Sequence, residues 1–133
     1  MKNSNNMFKK LVLITGIFNF PIGLGMFYQA MSNPTADTFI TGAVTGSFIL
    51  FAGAALVWAS NDIQNRASII VWNGLVRLIG FSLVQYASAN FEGVATEMVA
   101  ISFMDLVLAI VYIVGSVKVT GIPFSKLIVG RTN

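Results

Sequence analysis

Four long stretches of mainly apolar residues, separated by short polar breaks, run along the chain. They cover residues 8–30, 40–59, 67–87 and 98–117. Each stretch is close to the roughly 20 apolar residues that an α-helix needs to cross a membrane. The apolar positions do not alternate with polar ones, as they would in the strands of a membrane β-barrel. The pattern predicts an all-α protein with four transmembrane helices.

The breaks are short and contain residues that favour turns. Their central residues are Ser32-Asn33-Pro34, Ser60-Asn61-Asp62 and Asn90-Phe91-Glu92-Gly93. Short connections place consecutive helices side by side and antiparallel. We therefore expect an up-and-down four-helix transmembrane bundle that forms one domain over residues 1–117.

Composition agrees with a membrane location. Of the 133 residues, 56% are hydrophobic and only 10% are charged, and the mean hydropathy is +0.78. A soluble domain carries about 25% charged residues, so eight Lys and Arg with five Asp and Glu are too few to cover a soluble core. The net charge of +3 comes from basic residues beside the ends of the apolar stretches. They form no dense stripe, which argues against nucleic-acid binding.

The chain contains neither cysteine nor histidine. This excludes disulfide bonds, thiolate zinc sites, iron–sulfur clusters, haem held by two histidines, and nucleophilic catalysis by either residue. We predict no cofactor, no metal site and no catalytic residue. The basic start resembles that of a signal peptide, but the apolar stretch is too long and Ala30-Met31-Ser32 is a poor cleavage site, so we expect a retained first helix.

The basic residues favour one orientation in the membrane. Seven of them lie at or before the start of the first stretch, in the second break or after the fourth stretch. They are Lys2, Lys9, Lys10, Arg66, Lys118, Lys126 and Arg131. The first and third breaks contain no Lys or Arg, and their charged residues are Asp37, Glu92 and Glu97. Because Lys and Arg concentrate on the cytoplasmic side of membrane proteins, both termini are predicted to be cytoplasmic. We expect a multi-pass protein of a bacterial inner membrane.

Residues 118–133 follow the fourth stretch as a short tail. They are too few to span a membrane and contain Pro123. Their apolar residues are mixed with Lys126 and Arg131, a composition that suits a segment lying on the inner leaflet. A disordered tail is the alternative.

Small residues in the second stretch predict close helix packing. Lipid gives no hydrophobic drive for helix association, so small residues that let two backbones approach take its place. Gly42, Gly46 and Gly53 supply such a surface, and the first two form a Gly-x-x-x-Gly step. We expect this surface to contact another helix of the same bundle. A homo-oligomer or a protein partner in a larger membrane complex is the alternative.

Pro21 lies inside the first predicted helix. A proline there removes one backbone hydrogen bond and bends the helix axis. We expect a kink near residues 17–21, either as a packing adjustment or as the opening of a cavity.

Arg77 and Asp105 lie inside apolar stretches, where a charge costs about 2.5 to 3.5 kcal/mol. Arg77 follows Arg66 by 11 residues, which places it roughly 16 Å from the inner end of its helix. Asp105 precedes Lys118 by 13 residues, roughly 20 Å from the same end. On antiparallel neighbours the two residues are level within one helical turn, so we expect them to pair.

Other polar residues share these helix faces. Asn73 and Arg77 are four residues apart, and Asp105 and Tyr112 are seven apart, which are spacings of one helical face. A residue of the first helix, Asn19, falls at a similar depth, roughly 13 Å in from Lys10. We predict one polar, ligand-binding cluster formed by Asn19, Asn73, Arg77, Asp105 and Tyr112.

The predicted cluster has several interpretations. Side chains tilt toward the N-terminus of their own helix, which points Arg77 toward the cytoplasm and Asp105 away from it. Without a contact, Arg77 would snorkel to the inner interface and Asp105 would be protonated. With a contact, the pair either fixes the register of two helices or belongs to a site for a ligand, ion or proton. In the second case the guanidinium would hold an anionic head group or a carboxylate.

Two segments around the second break resemble a known pattern. They are Ala59-Ser-Asn-Asp-Ile-Gln-Asn-Arg66 and Val71-Trp-Asn-Gly-Leu-Val-Arg77-Leu-Ile-Gly80. They are similar to the joint between helices 2 and 3 in the DoxX-like and BphX-like families of small bacterial membrane proteins. In that joint, a small residue and a charged Asp/Arg turn precede an aromatic-x-Gly-x-x-Arg pattern. The resemblance implies a four-helix up-and-down bundle, an accessory or small-molecule-associated subunit and a structural place for Arg77, but no agreed activity.

Three classes of function fit these residues. The predicted one is a non-enzymatic accessory or assembly subunit, or a binder of a lipid or other hydrophobic small molecule, which needs no catalytic residue. A small transporter or ion-conducting protein would use Asp105 as a protonatable carboxylate and Arg77 as a gate or substrate anchor. An intramembrane enzyme would have to work with Tyr112, Asp105 and Arg77 alone, which makes it the least favoured class.

Overall fold

The computed structural model describes residues 2–32 and 34–131. Within these ranges every regular element is an α-helix, which confirms the predicted all-α class. The helices of the described residues are α1 (Lys2–Ser32), α2 (Ala36–Asn61), α3 (Ile63–Asn90), α4 (Thr96–Thr120) and α5 (Phe124–Ile128). Asn33, in the first predicted break, and the last two residues of the predicted tail lie outside the described residues.

Helices α1 to α4 contain the four predicted stretches and extend beyond each of them. The predicted bounds, at residues 8–30, 40–59, 67–87 and 98–117, are two to six residues too narrow at each end. The reason is that flanking polar residues continue the backbone hydrogen bonding, which a search for apolar residues ignores. All four helices are long and apolar enough to cross a membrane.

Local sequence explains two of the helix ends. Thr35 precedes α2, and its hydroxyl accepts a hydrogen bond from the N–H of Thr38 while the hydroxyl of Thr38 accepts one from the N–H of Thr35, each at 3.2 Å. This reciprocal arrangement satisfies amides that would otherwise lack a partner at the helix start. Gly121 follows α4 in the left-handed conformation, with φ of 71°, and its N–H donates to the carbonyl of Val117.

The chain forms two compact units that divide after Asp62. The first unit contains α1 and α2, and the second contains α3, α4 and α5. In each unit the two long helices pack along their length as an antiparallel hairpin. The arrangement of all four helices in one up-and-down bundle, and its insertion in a membrane, stay predictions.

Glycines bring α1 and α2 into close contact at two levels. A Cβ atom added to Gly53 would lie 2.8 Å from the carbonyl oxygen of Gly16. One added to Gly46 would lie 2.9 Å from the carbonyl oxygen of Gly23. Neither distance leaves room for a side chain. Gly42 also faces α1, so all three glycines predicted for helix packing lie against a helix of the same chain.

Helix α1 continues through Pro21 without interruption. Pro21 has no N–H to donate to the carbonyl of Ile17, so this turn lacks one helical hydrogen bond. Pro21 itself is exposed, whereas Asn19 and Gly23 on either side of it are buried. The expected kink at residues 17–21 stays a prediction.

The predicted tail is folded and packs on the second hairpin. Helix α4 continues to Thr120, and α5 follows after a turn. Leu127 of α5 is completely buried and packs in a cluster with Ala67 and Val71 of α3. The alternative of a disordered tail is therefore wrong for residues 118–131. Leu127 packs on α3 because that helix offers it an apolar surface, and the location of the tail on the inner leaflet stays a prediction.

Candidate functional site

The backbones of α3 and α4 lie close together beside Gly74. A Cβ atom added to Gly74 would lie 3.1 Å from the carbonyl oxygen of Ala109 and 3.2 Å from the Cβ of Tyr112. Both Ala109 and Tyr112 are completely buried. This close approach brings the side chains of the next helical turn, at Arg77 and Asp105, within reach of each other.

Arg77 and Asp105 form an ion pair across this contact. Nη1 of Arg77 donates to Oδ1 of Asp105. One turn back on the same helix, Oδ1 of Asn73 accepts a hydrogen bond from Nε of Arg77 at 3.2 Å. The guanidinium is therefore held from two directions. The two contacts keep Arg77 beside Asp105, although their side chains tilt toward opposite ends of the hairpin.

Tyr112 contributes its ring face to the same guanidinium. The Cζ atom of Arg77 lies 5.8 Å from the centroid of the Tyr112 ring. A cation within about 6 Å of an aromatic ring face is attracted by the quadrupole of the ring. One cation thus contacts a carboxylate, an amide and an aromatic ring. We call Asn73, Arg77, Asp105 and Tyr112 the polar cluster.

The polar cluster lies halfway along an apolar helix and is partly open. Arg77 is 14 residues from the start of α3 and 13 from its end, so about 20 Å of helix lies on either side of it. The side chains of Arg77 and Asp105 are 19% and 32% exposed. The hairpin therefore does not seal this pair from its surroundings.

Polar contacts continue from the polar cluster toward both ends of the α3–α4 hairpin. On one side, Nε2 of Gln85 donates to Oγ of Ser102 at 2.9 Å. On the other side, Nε2 of Gln64 donates to the carbonyl oxygen of Thr120 at 3.3 Å. Between the cluster and Thr120, the hydroxyl of Ser116 is buried and has no hydrogen-bond partner among the described residues. Polar contacts thus occur at several levels of this hairpin, and apolar residues such as Ile70 and Val71 are buried between them.

An apolar groove lies at the end of the hairpin near Gln85. It is open on one side and has a volume of about 460 Å³. Its walls come from the end of α3, the following loop and the start of α4, and include Leu83, Val84, Ala87, Val94 and Met98. Such walls suit a hydrocarbon chain better than a polar molecule.

Asn19, the fifth residue predicted for the cluster, lies in the first unit. It is 6% exposed, and its Cβ would be 2.9 Å from a Cβ atom added to Gly53. Asn19 therefore contributes to the close contact between α1 and α2. Its membership of the polar cluster stays a prediction.

The polar cluster offers charge and hydrogen bonding rather than a catalytic set. A guanidinium, a carboxylate, an amide and a phenol can together recognise a polar head group. Catalysis would need a nucleophile or base activated by a neighbour, whereas here the carboxylate is paired with the guanidinium. The described residues contain no group of three His, Cys, Asp or Glu that would hold a metal ion.

Sequence reasoning missed two residues that build this region. Gly74 allows the close approach of α3 and α4, and the packing surface predicted from the sequence did not include it. A glycine three residues before Arg77, on the same helical face, was an available signal. Trp72 donates its indole N–H to the carbonyl of Ile128 at 3.0 Å, and the sequence contains no signal for this contact.

Comparisons of the chain with protein families, characterised proteins and solved structures found no match. The resemblance of residues 59–66 and 71–80 to the DoxX-like and BphX-like families therefore stays a prediction. The functional assignment rests on the polar cluster and its position in the fold.

Proposed function

We propose that the chain is a small multi-pass protein of a bacterial inner membrane, folded as an up-and-down four-helix bundle with both termini cytoplasmic. Four described helices have the length and apolar composition of membrane spans. Large apolar side chains are widely exposed on them, and Phe48, Phe51 and Met104 are 66% to 71% exposed. Lipid is the environment that accommodates such a surface. The distribution of Lys and Arg supports the orientation.

Thiol labelling tests this orientation. The chain has no native cysteine, so Ser125→Cys in α5 and Ser88→Cys near the end of α3 each introduce a single thiol at an exposed residue. A membrane-impermeant maleimide should label Ser88→Cys in intact spheroplasts, and Ser125→Cys only after the membrane is opened. The reverse pattern would invert the proposed orientation.

Within that membrane we propose a non-enzymatic role, in which the protein binds a lipid or another hydrophobic small molecule at the polar cluster. The observation that carries this proposal is the Arg77–Asp105 pair, which lies inside apolar helices with side chains 19% and 32% exposed. An unpaired charge facing acyl chains costs about 2.5 to 3.5 kcal/mol, and pairing removes only part of this cost. A polar group over the exposed part of the pair would lower the remaining cost, and the head of an amphipathic molecule would supply such a group.

A partner helix in a larger membrane complex would cover the pair in the same way. In that case the protein is an accessory or assembly subunit, and the partner supplies the polar side chain. The two outcomes differ in what accompanies the purified protein, which is a hydrophobic molecule in one case and a second protein in the other.

Native mass spectrometry after extraction in a mild detergent tests the proposal. We expect a bound mass on the wild-type protein that is lost in Arg77→Gln and Asp105→Asn. The matched control is Gln85→Leu, which removes a neutral polar contact from the same hairpin and should keep the bound mass. A lone monomer carrying neither lipid nor partner would refute the proposal.

One observation favours a second function, a small transporter or a proton- or ion-conducting protein. Polar side chains lie at separate levels of the hairpin, with Gln85 bonded to Ser102, Gln64 bonded to the carbonyl of Thr120, and the hydroxyl of Ser116 buried between them. Asp105 would be the protonatable carboxylate and Arg77 the gate or substrate anchor. Flux into proteoliposomes should then fall in Asp105→Asn, and an unchanged flux would eliminate this function.

A further inference from the structure

The tail of the second unit runs parallel to the first turns of α3 and contacts them at two points. Nε2 of Gln64 donates to the carbonyl oxygen of Thr120, and Nε1 of Trp72 donates to that of Ile128. Both contacts join residues 56 positions apart. The chain from Thr120 to Ile128 therefore lies against residues 64–72 of α3. These residues span about 12 Å of helix at 1.5 Å per residue. We call residues 121–131 the foot.

One side of the foot is anchored and the opposite side is open. Leu127 and Ile122 are buried in a cluster with residues of α3. Phe124 is 39% and Val129 is 64% exposed, and Lys126, which lies between them in the sequence, is exposed as well. The foot thus presents apolar side chains together with a cation. This is the composition of a segment that lies at a membrane interface.

The end of the second unit that carries the foot is strongly basic. Lys118, Lys126 and Arg131 are all exposed there. Neither α3 nor the chain from residue 106 to residue 131 contains an Asp or Glu. The acidic residues that border these two segments are Asp62, directly before α3, and Asp105, directly before residue 106 and paired with Arg77. A surface with this excess of cations attracts an anionic partner.

We propose that the foot and the adjoining end of α4 bind the head group of an anionic phospholipid in the inner leaflet. Lys118, Lys126 and Arg131 would contact the phosphate, while the exposed faces of Trp72 and Phe124 would contact the acyl chains. Each Lys or Arg near an anionic membrane surface strengthens binding about fivefold. This inference rests on the proposed orientation with both termini cytoplasmic, and it is independent of the role of the polar cluster.

Quenching of Trp72 by brominated lipids tests the proposal. The chain has two tryptophans, so Trp58→Phe leaves Trp72, which is 52% exposed beside the foot, as the only tryptophan. This protein is reconstituted in phosphatidylcholine vesicles that contain dibrominated phosphatidylglycerol or dibrominated phosphatidylcholine. We expect the anionic lipid to quench Trp72 at a lower mole fraction than the zwitterionic lipid. Equal quenching by the two lipids would overturn the proposal.

Charge removal locates the site. In the Trp58→Phe background, Lys126→Gln with Arg131→Gln should lower the preference for the anionic lipid by about tenfold to thirtyfold. The matched control, Lys9→Gln with Lys10→Gln, removes the same charge from exposed residues of α1 and should leave the preference intact. A preference that survives in the foot variant, or that falls equally in both variants, would place the site elsewhere.

Two further measurements keep the test decisive if the foot variant does not insert. Raising the ionic strength should lower the preference of the Trp58→Phe protein, because salt screens exposed charges, and a preference that salt does not change contradicts the proposal. Inorganic phosphate should not abolish the preference, and if it does, the ligand is a soluble anion. If the Trp58→Phe protein shows no preference for the anionic lipid while Ser125→Cys is labelled from the cytoplasmic side, the lipid site is refuted and the proposed function stands.

Discussion

Different interactions hold the two helices together in each of the two hairpins. In the proposed membrane location, lipid would not drive the helices together through the hydrophobic effect, so their contact would come from close packing or from polar interactions. The α1–α2 hairpin uses the pairs Gly16–Gly53 and Gly23–Gly46, at which one backbone contacts the other. The α3–α4 hairpin uses Gly74 and then a series of polar contacts between side chains.

This difference determines which changes each hairpin tolerates. Between α1 and α2, carbonyl oxygens of the opposite helix occupy the space that a methyl group would need. Between α3 and α4 the backbones are close at Gly74, but one turn further along large polar side chains fit between the helices and bind one another. We therefore expect the first hairpin to be sensitive to side-chain volume and the second to be sensitive to polarity.

The largest effect is expected from removing one member of the ion pair. Arg77→Ala and Asp105→Ala should each lower the free energy of unfolding by about 3 kcal/mol, because each leaves an uncompensated charge among apolar helices. Unfolding in mild detergent, titrated with a denaturing detergent, measures the change. Asp37→Ala removes the same group from an exposed position on α2 and should have little effect.

The double variant sharpens this prediction. If the two side chains interact directly, Arg77→Ala with Asp105→Ala should be less destabilising than the sum of the single changes, by about 1 kcal/mol or more. Strictly additive losses would show that the pair does not hold the second hairpin together.

A smaller loss is expected from adding a methyl group between α1 and α2. Gly53→Ala should cost about 1 to 3 kcal/mol, because the new Cβ would lie 2.8 Å from the carbonyl oxygen of Gly16. Gly25→Ala is the matched control in the same hairpin, since an added Cβ there meets nothing within 4 Å. Its expected effect is a gain of up to about 1 kcal/mol from helix propensity. Equal losses in both variants would contradict the importance of side-chain volume.

The smallest effect is expected from a neutral polar contact. Gln85→Leu removes the hydrogen bond to Ser102 and should cost about 0.6 kcal/mol, the average for such contacts in membrane helices. Gln29→Leu makes the same chemical change at an exposed residue of the first hairpin and should be neutral. If the two changes have the same effect, polarity does not distinguish the hairpins at this position.

Much of the fold was predictable because length and hydropathy decide it. The long helices follow from apolar stretches, and the level of Arg77 with Asp105 follows from counting residues at a fixed rise. The start of α3 at Ile63 was not predictable in this way, because Gln64 and Arg66 are polar and still helical. The foot was not predictable either, because its pattern suits the membrane interface and an apolar protein surface equally well.

The packing partners were harder to predict than the packing surface. Gly46 and Gly53 stand out in α2, but their counterparts Gly16 and Gly23 are seven residues apart in α1, and that spacing was not recognised as a helical face. Sequence alone gives the depth of a residue and the face on which it lies. It does not give the rotation of one helix about its own axis relative to the next, which decides which residues meet.

In the proposed membrane location, the closed contact between Arg77 and Asp105 would have an electrical consequence. A single charge moved across a membrane gains or loses about 2.3 kcal/mol per 100 mV, but a guanidinium and a carboxylate that stay together carry no net charge through that field. The transmembrane voltage would therefore exert no net force on the intact pair. It would act on the two side chains separately once they move apart along the membrane normal, so the opening of this pair would depend on voltage.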